Sequence, residues 1–341
     1  MLQNESDFNL LKKISVSDIS FLSLDEKIAF EKYLDSIRDR SGFDDVFKKI
    51  REISRDEISE VVGRRITRAS WNGEENLKKS VMSKKIIDGF MINSVFYGDS
   101  NFPAMLSKST EMADPPYSIF YRGNLSILER PCVSVVGTRR ANMAALKAAF
   151  DFSKDACDDG ETVVSGLAFG IDIESHKGAL ASKDSATVAV LPGGIDTIVP
   201  SSHAKYAAKI IERGGVVMSE YVPGTPAEKF RFVQRNRIVA ALSPATVVVQ
   251  APAGSGSMIT AGLALGYNRS VFIHEAAFNG QSAKLDEVVR NRLLEDVRLG
   301  VKTKKSVAGK IDNSPVAFVA SGAEVVSSYN EYKEKLYVSK I

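Results

Sequence analysis

Pro131-Cys132-Val133-Ser134-Val135-Val136-Gly137-Thr138-Arg139-Arg140 decides the fold. A β-branched run ends in glycine, two arginines follow, and the Ala- and Lys-rich segment 141–158 reads as a helix. The pattern repeats downstream. Thr162-Val163-Val164-Ser165-Gly166 is followed by Thr187-Val188-Ala189-Val190-Leu191-Pro192-Gly193-Gly194. Val216-Val217-Met218-Ser219-Glu220, Thr246-Val247-Val248-Val249-Gln250 and Ser270-Val271-Phe272-Ile273 complete the series. Short β-branched runs of this kind are strands buried on both faces of a parallel sheet. The expected fold class is therefore α/β, with a mostly parallel sheet. In open sheets of that class, ligands gather at the carboxyl ends of the strands. Here those ends carry Gly-Thr-Arg-Arg, Ser-Gly-Leu-Ala-Phe-Gly, Pro-Gly-Gly and Ser-Gly-Ser, a surface suited to phosphate.

At 341 residues the chain holds about two domains. Residues 1–90 read as a small helical domain, because Leu10, Leu11, Ile14, Ile28, Phe30, Tyr33, Leu34 and Ile37 recur at helical spacing. Ser23-Leu24-Asp25-Glu26 and Ser54-Arg55-Asp56-Glu57 have the form of capping boxes. No Gly-hydrophobic-Gly hairpin suggests a helix-hairpin-helix DNA contact there. Residues 91–130 read as an extended arm packed on the sheet domain, since Pro115-Pro116 forbids a helix. Residues 131–335 form the sheet domain. Within it, 278–313 reads as a polar connector, 315–326 as a last strand-like edge and 329–337 as a short helix.

The formal charge of +3 supplies no global basic field, so any anion site must come from local clustering. Cys132 and Cys157 suggest no disulfide framework and fit a reducing cytoplasm. The N-terminus lacks the pattern of a signal peptide, and no apolar run approaches ~18 residues, so no membrane association is expected. Three histidines and two separated cysteines offer no metal-ligand spacing; neither metal nor cofactor is expected.

The candidate contacts lie along the rim. Arg139 and Arg140 stand where a strand end meets a helix start, a natural anion site. Ser165 offers a hydroxyl and amide, while Gly166 and Gly170 allow close backbone approach. Asp172 is placed to cap the next helix, and His176 within it reads as a core residue. Lys205 falls on the first turns of a later helix and can face an anion. The richest cluster is Lys229-Phe230-Arg231-Phe232-Val233-Gln234-Arg235-Asn236-Arg237. Cations that follow a backbone and rings that stack on bases suit single-stranded nucleic acid. Lys229, Phe232 and Asn236 can share a helix face, and Arg235, Asn236 and Arg237 are expected contacts as well. A split is expected within the cluster, the alternative being Phe230 or Phe232 in the core and Arg235 and Arg237 in ion pairs. Gly254-Ser255-Gly256-Ser257 makes a second amide cradle. It lacks the Lys-Ser/Thr ending of a P-loop, and no Gly-x-Gly-x-x-Gly is present at the first strand.

Taken in order, these motifs resemble the DNA-processing protein A (DprA/Smf) family over about 95–275, and again over 318–334. Val-Gly-Thr-Arg-Arg, Ser-Gly-x-Ala-x-Gly-Ile-Asp-x-x-x-His-x-Gly-Ala-Leu, Arg-Asn-Arg-Ile-Val-Ala-x-Leu-Ser and Ser-Gly-Ser-x-Ile-Thr-Ala carry the resemblance. It implies an extended Rossmann-like domain that binds single-stranded DNA without catalysis, protects it and helps load RecA, as in natural transformation. It also implies a homodimer. By motif, Arg139 should contact phosphate, while Lys229 and Phe232 supply charge and stacking. Phe318, Val319, Val325 and Val326 fall on the family's dimer edge, and Leu265 near a RecA contact. No winged helix is expected after the sheet domain. His203, Gln250 and His274 depart from the family pattern. An alternative reading is a nucleotide-binding signal sensor or a nucleotide-processing protein. The phosphoribohydrolase motif that Pro192-Gly193-Gly194 suggests has lost its second-half glycine to Asp196 and its catalytic glutamate to Pro200. That leaves no base for glycosidic cleavage.

Overall fold

The computed structural model describes residues 5–67, 69–107, 111–184 and 187–338. The helical region comprises α1 (Glu5–Ser17), α2 (Leu24–Ser41), α3 (Phe43–Glu52), α4 (Arg55–Val62) and α5 (Gly73–Phe90). Both expected capping boxes form, at Ser23/Glu26 and Ser54/Glu57, and Asn72 caps α5. Gly63 ends α4 with φ +70°, a conformation that costs glycine little. Leu11, Phe30, Leu34, Ile50 and Ile58 close this region's own core. Against the sheet domain, Ser83 Oγ donates to Pro223 O at 2.7 Å and Tyr117 Oη donates to Glu31 at 2.7 Å.

Nine strands make one sheet. They are β1 (Asn93–Phe96), β2 (Ser118–Gly123), β3 (Cys132–Val136), β4 (Thr162–Ser165), β5 (Thr187–Val190), β6 (Val216–Ser219), β7 (Ala245–Val248), β8 (Ser270–His274) and β9 (Glu324–Val326). Their order is β1-β2-β6-β5-β4-β3-β7-β8-β9. All neighbours from β6 to β9 run parallel. The arm is not merely packed on the sheet. Its two extended segments enter it as antiparallel strands, with β2 pairing β6 at Phe120↔Ser219.

Alternating residues of each strand feed opposite layers. Val133 and Val135 meet α6 (Met143–Asp158) and α7 (Ile171–Ala181), with Phe152 and Tyr332 filling that side. Val136 and Val248 meet α9 (Lys229–Ala241) and α10 (Gly256–Gly266) through Ile238 and Met258. On the first side, α8 (Ala204–Glu212) seals β5 and β6 with Ala207 and Ile210.

Two expectations about the last third fail. Residues 278–313 contain α11 (Gly280–Arg298) and α12 (Lys304–Asp312), not a connector without structure. Asn279 and Thr303 cap them, but Leu293 and Val307 are their only buried large apolar anchors. So sparse an apolar stripe leaves little helical period to read. Residues 315–320 form the helix α13 (Pro315–Ala320), and only β9 is strand. Proline opens α13 because its fixed φ suits a helix start and its missing donor goes unneeded there. α14 (Tyr329–Val338) follows.

Chain order sets where a ligand can sit. From β3 the strands proceed outward through β4, β5 and β6; β7, β8 and β9 then occupy the other side. The reversal leaves a crevice between the loops after β3 and β7, where α/β sheets bind ligands.

Candidate nucleic-acid interface

The two loops at the reversal are stitched together. Thr138 N–H donates to Gln250 O at 2.6 Å, and Ser257 Oγ donates to Gly137 O at 2.7 Å. Gly170, at φ +78°, passes so close that a Cβ there would lie 2.2 Å from Thr138 O. These contacts fix the backbone beneath Arg139 and Arg140, whose side chains remain exposed. Asp151, a potential competitor, pairs with Lys147 instead. Among the described residues, neither arginine has a carboxylate within 4 Å.

The start of α9 forms the facing wall. Lys229, Phe232 and Asn236 do share one face, and all three line the cleft. The Arg139 guanidinium lies 4.9 Å from the Phe232 ring centroid, within cation–π range. Asn236 Nδ2 donates to Gly256 O at 3.1 Å, tying α9 to the loop after β7. In that loop Gly254 N–H donates to Asn313 O at 2.7 Å, and Ser255 caps α10. Ser255, Gly256 and Ser257 thus line the cleft at a helix N-terminus, where backbone donors favour an anion. The open cleft has a volume of about 660 Å³.

Four expected contacts, Ser165, Gly166, Arg235 and Arg237, are engaged within the fold. Ser165 is fully buried, and its hydroxyl donates to Val135 O at 2.7 Å. Arg235 is 4% exposed and donates to Val190 O. It occupies the space that Gly166 leaves open: a Cβ at Gly166 would lie 2.0 Å from Arg235 Nη1. So the approach that Gly166 permits is made by this guanidinium. Near it is the buried Asp172, whose carboxyl is pushed up by burial and pulled back by the charge of Arg235, the Ala168 amide, the charge of Arg139 and the Gly166 amide. Asp172 therefore does not cap α7; Gly170 holds that position without a side-chain bond. Arg237 turns to the other flank, 2.5 Å from Glu220 and 3.2 Å from Asp114. No local pattern marks these partners, because each is distant in sequence.

Lys205 is exposed on α8, outside the cleft, with its Nζ 5.1 Å from the Tyr206 ring centroid. His176 is buried and bonded to Thr187 Oγ1 at 2.8 Å; burial lowers its pKa to about 3, so it stays neutral. Gln250 is a pin rather than a contact. Its amide accepts from Asn142 N–H at 3.0 Å and donates to Ser282 Oγ at 2.6 Å. His203 Nδ1 donates to Leu167 O at 2.8 Å, and buried His274 Nδ1 accepts from Ala276 N–H at 3.1 Å. On the far edge, Phe318 and Val319 pack half-buried against the core, Val325 is half-buried, and Val326 is fully buried. Val326 is thereby removed from any outer contact surface. Leu265 is 51% exposed on α10.

Among the described residues, no group of three or more His, Cys, Asp or Glu could hold a metal, and no helix is long and apolar enough to cross a membrane.

Comparison with known proteins agrees with this architecture. Residues 93–294 match the family described as DNA recombination-mediator protein A. Protein Smf of Borreliella burgdorferi is 33% identical over 208 residues, 61% of this chain and 65% of that protein. Protein Smf of Escherichia coli is 38% identical over 175 residues, 51% of this chain and 46% of that protein. The chain thus spans between about half and two thirds of these relatives' length. The crystal structure of DNA processing protein A from Streptococcus pneumoniae superposes with a TM-score of 0.64 at 26% identity, covering 97% of both chains. The match covers both the helical region and the sheet, and with residues 93–294 it settles the assignment: the chain belongs to the DNA recombination-mediator protein A family.

Proposed function

We propose that this chain is a non-catalytic recombination mediator of the cytoplasm that binds single-stranded DNA in the cleft between the β3 and β7 loops. It shields the strand and helps load RecA onto it, as in natural transformation or DNA processing. The observation that carries the reading is Arg139 poised over the Phe232 ring at 4.9 Å. Lys229 and Arg140, which have no carboxylate within 4 Å among the described residues, line the same cleft. A polynucleotide strand offers phosphates and base faces in alternation. The cations take the phosphates, together with the amides of Ser255, Gly256 and Ser257, and the ring takes a base face. In duplex DNA those faces are already stacked, so Phe232 gains nothing from it.

The assembly is a homodimer through the β9 edge, with Phe318, Val319 and Val325 as its apolar contacts. Leu265, exposed on α10, is the candidate contact for RecA.

Competition between labelled oligo-dT and a duplex of equal length tests the central point. The cleft predicts preference for the single strand. Lys229→Ala and Phe232→Ala should each weaken it, the latter by roughly 1–3 kcal/mol for the lost stack. Equal affinity for duplex, or unchanged affinity in both variants, would refute the reading.

A further inference from the structure

We propose that Phe169 is a second base platform, set beside the cleft and reached by a strand that crosses Arg139 and Arg140 toward Lys205. The inference rests on the single-strand reading above and extends its path.

The loop after β4 is built to display this ring. Leu167 adopts φ +56°, a conformation that costs a residue of its kind free energy, and its side chain is fully buried. Its carbonyl is held by His203 Nδ1 at 2.8 Å. Three residues on, Gly170 turns the chain at φ +78° against the Arg139 backbone. Phe169, between these anchors, is 51% exposed. A core role does not account for so open a ring on so fixed a loop. Its edge contact is with the buried His203 imidazole, centroids 4.8 Å apart at 70°. His203 itself meets Tyr206 at 6.2 Å and 83°. A half-open ring propped from the side suits stacking.

The charges around it follow the same logic. Arg139 and Arg140 line both the cleft and the adjoining depression of about 550 Å³ that Phe169 and His203 line. Beyond the rings, Lys177 is already paired with Glu174 at 2.6 Å. Lys205 has no carboxylate within 4 Å among the described residues. Lys229 and Phe232, then the arginine pair, then Phe169, then Lys205 make an alternation of cation and ring. That alternation matches the phosphates and bases of one unpaired strand. It also gives Lys205, which lies outside the cleft, a place on the same path.

The test is a length series of oligo-dT with the full chain. Wild type should gain affinity once the oligonucleotide outgrows the cleft and reaches Phe169. In Phe169→Ala that gain should shrink by roughly fivefold or more, the factor expected for one lost stack. Phe169→Trp should keep the gain, and its fluorescence should be quenched by long oligo-dT more than by short. Phe169→Ala that keeps the full gain while Phe232→Ala binds weakly would overturn the platform and leave the cleft standing. So would Phe169→Ala that keeps the gain but loses association with a second copy or with RecA, since the ring would then serve a protein contact. Wild type that binds no oligo-dT would overturn both. Half-exposed Phe169 carries little of the core, so thermal melting should show the variants folded.

Discussion

Arg139 and Arg235 are both arginines near the carboxyl ends of the sheet, yet they answer to different physics. Arg139 is exposed and lies over a ring. Arg235 is buried beside Asp172 in a space that only a glycine at position 166 leaves free. Removing Arg235 strands the buried Val190 carbonyl, at a cost of about 1–3 kcal/mol, and takes a positive charge away from the buried Asp172. Arg235→Ala should therefore lose stability of that order in urea unfolding. Arg139→Ala should leave stability within about 0.5 kcal/mol, because its loss empties no core. It should instead weaken oligo-dT binding and lower the log–log salt slope by about 0.7, the share of one phosphate contact on a single strand. The opposite pattern would exchange their roles.

At the scale of elements, α9 shows why the richest run of sequence was only half legible. The basic and aromatic residues of 229–237 surround the helix, so composition alone could not tell which face met a ligand. Helical spacing puts Phe232 and Asn236 on the side of Lys229, and sets Arg235 and Arg237 on the two flanks of that face. The partners that bury those two, Asp172, Glu220 and Asp114, come from other elements. The capping boxes were legible because all their bonds are local. At α2 the box does more: Arg64 pairs with Glu26 and holds its carboxyl down to about 2. A depressed carboxyl stabilises the fold above its ordinary value of 4.5 and loses that contribution as pH falls toward 2. The melting temperature of wild type should exceed that of Arg64→Ala at pH 6, and the gap should close by about pH 2. A gap independent of pH would show that Arg64 acts by packing.

Over the whole molecule, the β-branched runs announced a parallel sheet because a strand buried on both faces has little choice of residue. The strand order, and with it the crevice at β3 and β7, emerged only in three dimensions. So did the two antiparallel strands of the arm, since Pro115-Pro116 said what the segment could not be rather than what it would pair with. The weakly apolar α11 and α12 hid for the opposite reason, having charge on nearly every exposed turn. At the other edge, β9 presents one side to β8, with its outer side unpaired among the described residues. A dimer formed there should fall to monomer in Val325→Asp, read by light scattering; an unchanged mass would place the contact elsewhere.

The cleft itself is best examined by amide hydrogen exchange with and without saturating oligo-dT. Protection should concentrate in 137–140, in the first turns of α9 and in 254–257. Binding that protects other faces and leaves those three segments unchanged would contradict the account.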